Sequence, residues 1–186
     1  VEVGEMKKGI VVLLAAALTC VGAAAATNLY AEHARAGSYA NNPGNVSGGD
    51  NFKKLWDNCD RICQNLSRTY TAYDGEWWDY DNQYHRTWPY MFFKFDKPGG
   101  FSGGTCKWRI KQEGGSDVKV YRWNPNTEVW VPESENDGGS NPPVLEFSIG
   151  SGSNYWNEDG KCYIMATSDA YSPDWYLSCD LCKISY

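Results

Sequence analysis

The sequence predicts a mainly β protein, an antiparallel β-sandwich of jelly-roll type with one N-terminal amphipathic helix linked to it by disulfides. Three observations carry this. Between residues 89 and 186, short apolar stretches alternate with period two and are separated by turns rich in Gly, Asn and Pro. No helical pattern interleaves them, which favours antiparallel pairing over βαβ units. Ahead of them, Asp50 to Thr69 repeats its apolar residues at helical spacing.

The chain opens on VEVGEMKKGIVVLLAAALTCVGAAAATN. Met6-Lys7-Lys8-Gly9 is a short basic stretch, Ile10 to Val21 is apolar, and Gly22 to Ala26 is a small-residue tract. Residues 6–26 therefore read as a secretory signal peptide. The apolar run is shorter than the roughly 20 residues that a bilayer span requires. A type IV pilin with Glu5 at its fifth position is a weaker reading, because Lys7 and Lys8 would enter the fibre core or the membrane. A lipoprotein anchored through Cys20 is weaker too, since Ala17-Leu18-Thr19 fits a lipidation signal poorly. Residues 1–5 are expected to be a translated ribosome-binding site of a bacterial gene, with Met6 as the true start.

Residues 27–49 read as a lead-in loop, with NNPGNVSGG (Asn41 to Gly49) as its punctuation. Residues 50–186 then form a single domain. Asp50 is the expected N-cap of a helix over 50–69, whose apolar face is Phe52, Leu55, Trp56, Cys59, Ile62, Cys63 and Leu66. In the sandwich, Met91, Phe93 and Phe95 share one strand face, as do Cys106, Trp108 and Ile110, with three cations opposite. Val118 to Trp123 and Glu128 to Val131 flank the turn Asn124-Pro125-Asn126-Thr127. Leu145, Phe147 and Ile149 point inward from the next strand, and Cys162 and Ile164 from the one after. In the last strand, from Trp175 to Tyr186, the apolar phase changes, so Cys179 and Cys182 face opposite sides unless a bulge intervenes.

Seven cysteines are present, one of them in the signal segment. The six others, Cys59, Cys63, Cys106, Cys162, Cys179 and Cys182, are an even set in an exported chain and are expected to form disulfides. The preferred pairings join Cys59 and Cys63 to the C-terminal strand or its neighbours, and Cys106 to Cys162. Zinc held by Cys59, Cys63, Cys179 and Cys182 is the rival reading, disfavoured by compartment. The expected location is secreted, periplasmic or at the cell surface.

A formal charge of −6 and a pI near 4.9 argue against nucleic acid or an anionic membrane as partner. Once the signal is cleaved, no stable membrane span is expected. Nine Trp and thirteen Tyr exceed what one small core hides. The densest cluster is TAYDGEWWDYDNQYHRTW (Thr71 to Trp88). Trp77, Trp78, Tyr80, Tyr84 and Trp88, with Asp79 and Asp81, are the candidate ligand-contact residues, on the argument that so many carboxylates keep the segment facing water. The carboxylates Asp74, Glu76, Asp79 and Asp81 lack any sign of the paired geometry that a glycosidase needs. His33 and His85 have no identifiable catalytic partner. No metal ligand set is assigned; calcium is a candidate at YDGEWWDYD and at Asn157-Glu158-Asp159-Gly160.

The stretches DVKVYRWNPNTEVW (Asp117 to Trp130) and GKCYIMATSDAYSPDWYLSCDLCKISY (Gly160 to Tyr186) resemble bacterial pre-peptidase C-terminal domains and the related sandwiches of carbohydrate-binding modules. The resemblance covers residues 89–186. It implies an exported, non-catalytic binding module for a glycan or another extracellular ligand, and carries over no catalytic residue. The alternatives are a structural or interaction protein of the cell envelope, pilin-like subunits included, and thirdly a secreted hydrolase.

Overall fold

The computed structural model describes residues 26–81, 87–112, 117–137, 139–168 and 176–186, with only the main chain at Asp81. Residues 1–25, Cys20 among them, lie outside these. Two antiparallel sheets pack face to face and one short helix covers the outside of the second. Among the described residues no helix is long and apolar enough to cross a membrane.

The first sheet is built on β11 (Tyr176–Ser185), which pairs with β6 (Gly103–Gln112), itself paired with β9 (Leu145–Gly150). The other edge of β11 is shared by three short pieces. β4 (Trp78–Asp81) pairs with Tyr176 to Cys179, Tyr70 bridges to Leu181, and β1 (Asn28–Tyr30) pairs with Lys183 to Ser185. The second sheet runs β3 (Arg61–Ile62), β2 (His33–Tyr39), β5 (Trp88–Asp96), β10 (Lys161–Ser168), β7 (Val118–Asn124), β8 (Val129–Asn136).

Between the sheets lies the main core. The alternating residues read from the sequence fill it: Met91, Phe93 and Phe95 from β5, Cys106, Trp108 and Ile110 from β6, and Cys162 and Ile164 from β10. The turn at 124–127 joins β7 to β8, whose antiparallel register begins at Asn124 opposite Val129.

The same strand β5 builds a second core with its other face. Tyr90 and Phe92 point away from the first sheet and meet Trp123, Trp130 and Met165, and α1 (Gly49–Asp57) closes over them with Leu55, Phe52 and Trp56. The Tyr90 hydroxyl donates to the Leu55 carbonyl at 2.9 Å. The Arg35 guanidinium lies over the Trp56 ring at 4.5 Å and donates to its carbonyl, where the helix dipole favours a cation.

Three expectations need correction here. The lead-in 27–49 is not a loop: it supplies β1 and β2, and Ala34 and Ala36 are buried in the main core. The helix ends at Asp57 and not at Thr69, and its N-cap is Gly48 rather than Asp50. Beyond it, Cys63 passes to the other side of the second sheet, with its N–H donating to the Ala34 carbonyl at 3.0 Å. Ile62, assigned to the apolar helix face, is 62% exposed.

The third correction concerns the cysteines. All six in the described residues are free thiols, so no disulfide links the helix to the sandwich. Within each sheet the register sets no two of these cysteines directly opposite each other. Cys106 is opposite Ile184 and Phe147, Cys182 opposite Trp108, Cys179 opposite Ile110 and Trp78, and Cys162 opposite Phe95. Cys59 belongs to the helix-side core and Cys63 to the inter-sheet core, so the two are not on one face. A bulge between Cys179 and Leu181 also restores the phase, and Cys179 and Cys182 both enter the inter-sheet core. There the thiols pack as small apolar side chains. Burial pushes the Cys63, Cys162, Cys179 and Cys182 thiols up from their ordinary range.

Cys59 is the most accessible of the six, and burial pushes its thiol up to about 12. The thiolate is the reactive form. Of the six described cysteines, a thiol reagent at pH 8 is therefore expected to label Cys59 first and slowly, about tenfold faster per pH unit until the fold gives way. Denaturation without reductant should expose all six of these. An intact mass lighter by two hydrogens per bond would contradict the free-thiol state.

Candidate functional site

The segment from Gly75 to Asp81 decides the site. Its second half is a strand, β4, which begins at Trp78 and alternates. Trp78 and Tyr80 point between the sheets, 8% and 1% exposed, and Trp78 meets the edge of Phe93 at 5.6 Å. The Tyr80 hydroxyl donates to Asp60 Oδ2 at 3.5 Å, and burial pushes its pKa well above the ordinary phenol range. Trp77 and Asp79 alternate with them and face outward. The proposed contact patch is thus divided. Trp78 and Tyr80 are core residues and are corrected as such. Trp88, half-buried, pairs with Tyr39 and shares the face of Tyr90 and Phe92, so it lies on the helix side of the second sheet. Tyr84 and the Asp81 side chain lie outside the described residues.

On the outer face of the first sheet the structure gathers groups that the sequence did not connect. Arg109 of β6 is 4% exposed and Asp180, at the bulge of β11, is 0% exposed. Arg109 Nη1 donates to Asp180 Oδ2. Its Nε donates to the Pro142 carbonyl at 3.1 Å and its Nη2 to Asn141 Oδ1 at 2.7 Å. The guanidinium lies 3.9 Å from the Tyr73 ring centroid and 4.7 Å from that of Trp77. Asp180 Oδ2 also accepts the Tyr73 N–H at 2.8 Å, while Oδ1 has no partner among the described residues. Tyr73 has φ 66, a left-handed conformation uncommon for a bulky residue, and its side chain is 61% exposed. The turn around it is closed by Gly75 at φ 85 and by the Glu76 N–H donating to Asp74 Oδ1 at 2.9 Å.

Next to this hub, three residues stand in register across three strands. Ser178 of β11 is opposite Asp79 of β4 on one side and Lys111 of β6 on the other. Adjacent strands lie about 4.8 Å apart, so the row sets a carboxylate, a hydroxyl and an ammonium at even spacing. Lys111 Nζ is 4.5 Å from the Trp77 ring centroid. With Tyr176, 40% exposed, these residues line a depression of about 270 Å³. Arg109 and Lys111 belong to the row of cations that the sequence of β6 displays. Tyr73, Tyr176 and Ser178 carry no comparable local signal.

A larger cleft of about 450 Å³ lies between the β7–β8 turn and the β9–β10 loop, lined by Pro125, Asn126, Ser153, Trp156, Asn157, Glu158 and Asp159. Its one aromatic, Trp156, is closed off: 3% exposed, edge-on to Phe101 at 5.1 Å, with its N–H donating to the Gly150 carbonyl. Volume alone does not make it the better candidate, because no ring face is open to a ligand. Among the described residues no three His, Cys, Asp or Glu side chains gather as a group that could hold a metal. His33 is exposed, with Nε2 3.5 Å from Glu32 Oε1; His85 lies outside the described residues.

The chain is thus a mainly β protein of two antiparallel sheets with one helix, carrying an aromatic and polar surface on the sheet that the helix leaves uncovered. Solved structures similar to it include a mutant of the family 29 carbohydrate-binding module CBM29-2 in complex with mannohexaose, at 11% identity over 87% of this chain and 92% of that one, with a TM-score of 0.37. TmCBM61 in complex with β-1,4-galactotriose is similar at 14% identity over 82% and 87%, TM-score 0.37. A family 28 module specific for non-crystalline cellulose is similar at 10% identity over 62% and 78%, TM-score 0.35. No protein-family model and no curated protein matches the chain, the pre-peptidase C-terminal family included.

Proposed function

We propose that the chain is an exported, non-catalytic module that binds a glycan through the outer face of its first sheet. The observation that supports this reading is the in-register row Asp79, Ser178 and Lys111 beside the Trp77 ring. A sugar ring presents an apolar C–H face and a rim of hydroxyls. An aromatic ring packs against the first, and a few well-placed polar groups fix orientation through the second. Asp79 accepts from hydroxyls and Lys111 donates to them, while Ser178, 2% exposed, sits between the two as the floor of the depression. The two charges are opposite, so the row suits a neutral sugar. No cofactor enters the reading.

A second reading, an interaction or structural protein of the cell envelope, draws on the burial of Trp78 and Tyr80, which puts two of the three WWDY aromatics into the core. One experiment separates the two. The purified protein is applied to an array of neutral polysaccharides alongside Trp77→Ala. The expected result is binding by the parent and about tenfold weaker binding or worse by the variant, from the loss of one aromatic contact. Its melting temperature should shift by only a few degrees, because Trp77 is half-buried. Substituting Trp78 as well would test folding instead of binding. A blank array would remove the glycan reading and leave the envelope one.

A further inference from the structure

We infer that the binding surface is a strip and not a single pocket. It continues along β11 from Tyr176 past Trp77 and Tyr73 to Tyr30 and Tyr70, and it takes an internal stretch of an unbranched glycan chain. The inference rests on the glycan reading above and names the form of the ligand.

The register of β11 supplies the argument. Tyr176 stands at one end of the strand, and Tyr30 pairs with Lys183 near the other. At about 3.3 Å per residue this separation is roughly 20 Å, longer than one sugar ring. Aromatic side chains recur along that length on one face. Trp77 borders the depression at Ser178. Tyr73 is anchored at Asp180. Tyr70 bridges to Leu181 and its ring stacks on Tyr30 with centroids 4.0 Å apart. Tyr30 faces the same way as Trp77, because its neighbour Leu29 packs into the inter-sheet core.

Tyr73 is the telling member. A left-handed φ of 66 suits Gly or Asn, and a ring that is 61% exposed adds little to the core. Backbone demands and packing both argue against tyrosine at this position. Its ring nevertheless lies against Arg109, with the guanidinium carbon 3.9 Å from the centroid, and that guanidinium is itself fixed by Asp180, Asn141 and the Pro142 carbonyl. A rigid, exposed ring costs little entropy when a ligand packs on it. The polar row at Asp79 and the ring at Tyr73 then serve successive units of one chain.

The test uses β-1,4-linked oligosaccharides of glucose, mannose and galactose with one, three and six units, titrated against the whole protein and against Tyr73→Gly. Glycine accepts the backbone angle, so the variant keeps the fold. The hexasaccharide of the preferred sugar is expected to bind about tenfold tighter than the trisaccharide, the value of one further aromatic contact. In Tyr73→Gly the advantage of the three- and six-unit chains over the single sugar should shrink about tenfold, since the ring that meets the second unit is gone. Equal affinity for single sugars and hexasaccharides, or equal weakening of both by Tyr73→Gly, overturns the strip and leaves the glycan reading standing. No binding by any sugar of the set overturns both.

Discussion

Asp180→Ala is expected to destabilise the fold by about 3–5 kcal/mol, the range for removing one partner of a buried ion pair. Arg109 keeps its bonds to the Pro142 carbonyl and Asn141, but its charge is left in a site that is 4% exposed. The Tyr73 N–H loses its acceptor at the same time, so the strained turn loses its anchor. Asp180→Asn keeps the shape and one acceptor and should cost less. Replacing both partners by apolar residues of similar volume should recover most of the loss, since the desolvation of two charges disappears with them. Urea unfolding of the four proteins reads all of this. A loss below about 1 kcal/mol for Asp180→Ala would mean that water reaches the guanidinium, and the pair would then behave as a surface one. Because Tyr73 and Trp77 both pack on Arg109, the same substitution should also loosen the proposed binding strip.

How much of this was legible in the sequence depends on how local the signal is. β5 and β6 announced themselves because Met91-Phe92-Phe93 and Cys106-Lys107-Trp108-Arg109-Ile110 alternate bulky groups against cations or against a second core. β2 did not. In His33–Tyr39 the buried positions are Ala34, Ala36 and Gly37, small residues with low strand propensity that carry no visible apolar stripe. The helix was read too long because Cys59, Ile62, Cys63 and Leu66 happen to fall at helical spacing. Three of them go elsewhere: Ile62 to solvent, and Cys63 and Leu66 to the inter-sheet core.

In Trp77-Trp78-Asp79-Tyr80-Asp81 the carboxylates do not exclude burial of the rings beside them. A half-buried strand has period two, so Asp79 faces water while Trp78 and Tyr80 fill the core. The alternation was present in the sequence and was the better guide. The Arg109–Asp180 pair lay beyond any local reading, since 71 residues separate its members. The row Asp79, Ser178, Lys111 likewise exists only through strand register.

The double use of β5 leads to the second large effect. Phe92→Ala is expected to cost about 3–5 kcal/mol, as for truncation of a buried aromatic, and to act first on the helix. Phe92 is fully buried, with ring centroids 6.2 Å from Phe52, 5.6 Å from Trp56, 5.2 Å from Tyr90 and 5.3 Å from Trp130. α1 has nine residues, and a helix of that length is unstable in water without packing. Its docking face is Leu55, Phe52 and Trp56, and the last two rest on Phe92. The inter-sheet core lies on the other face of β5 and does not contain Phe92. Hydrogen exchange of Phe92→Ala should therefore show the amides of α1 losing protection while those of β6 and β11 keep most of theirs. Phe93→Ala is the control one residue away. Its ring meets Trp78 and Trp108 between the sheets, at 5.6 and 4.9 Å, so it should lower protection in both sheets together. If the two variants gave the same exchange pattern, the helix layer and the sandwich would be one cooperative unit, and the two cores would not be separable in stability even though they are separate in space.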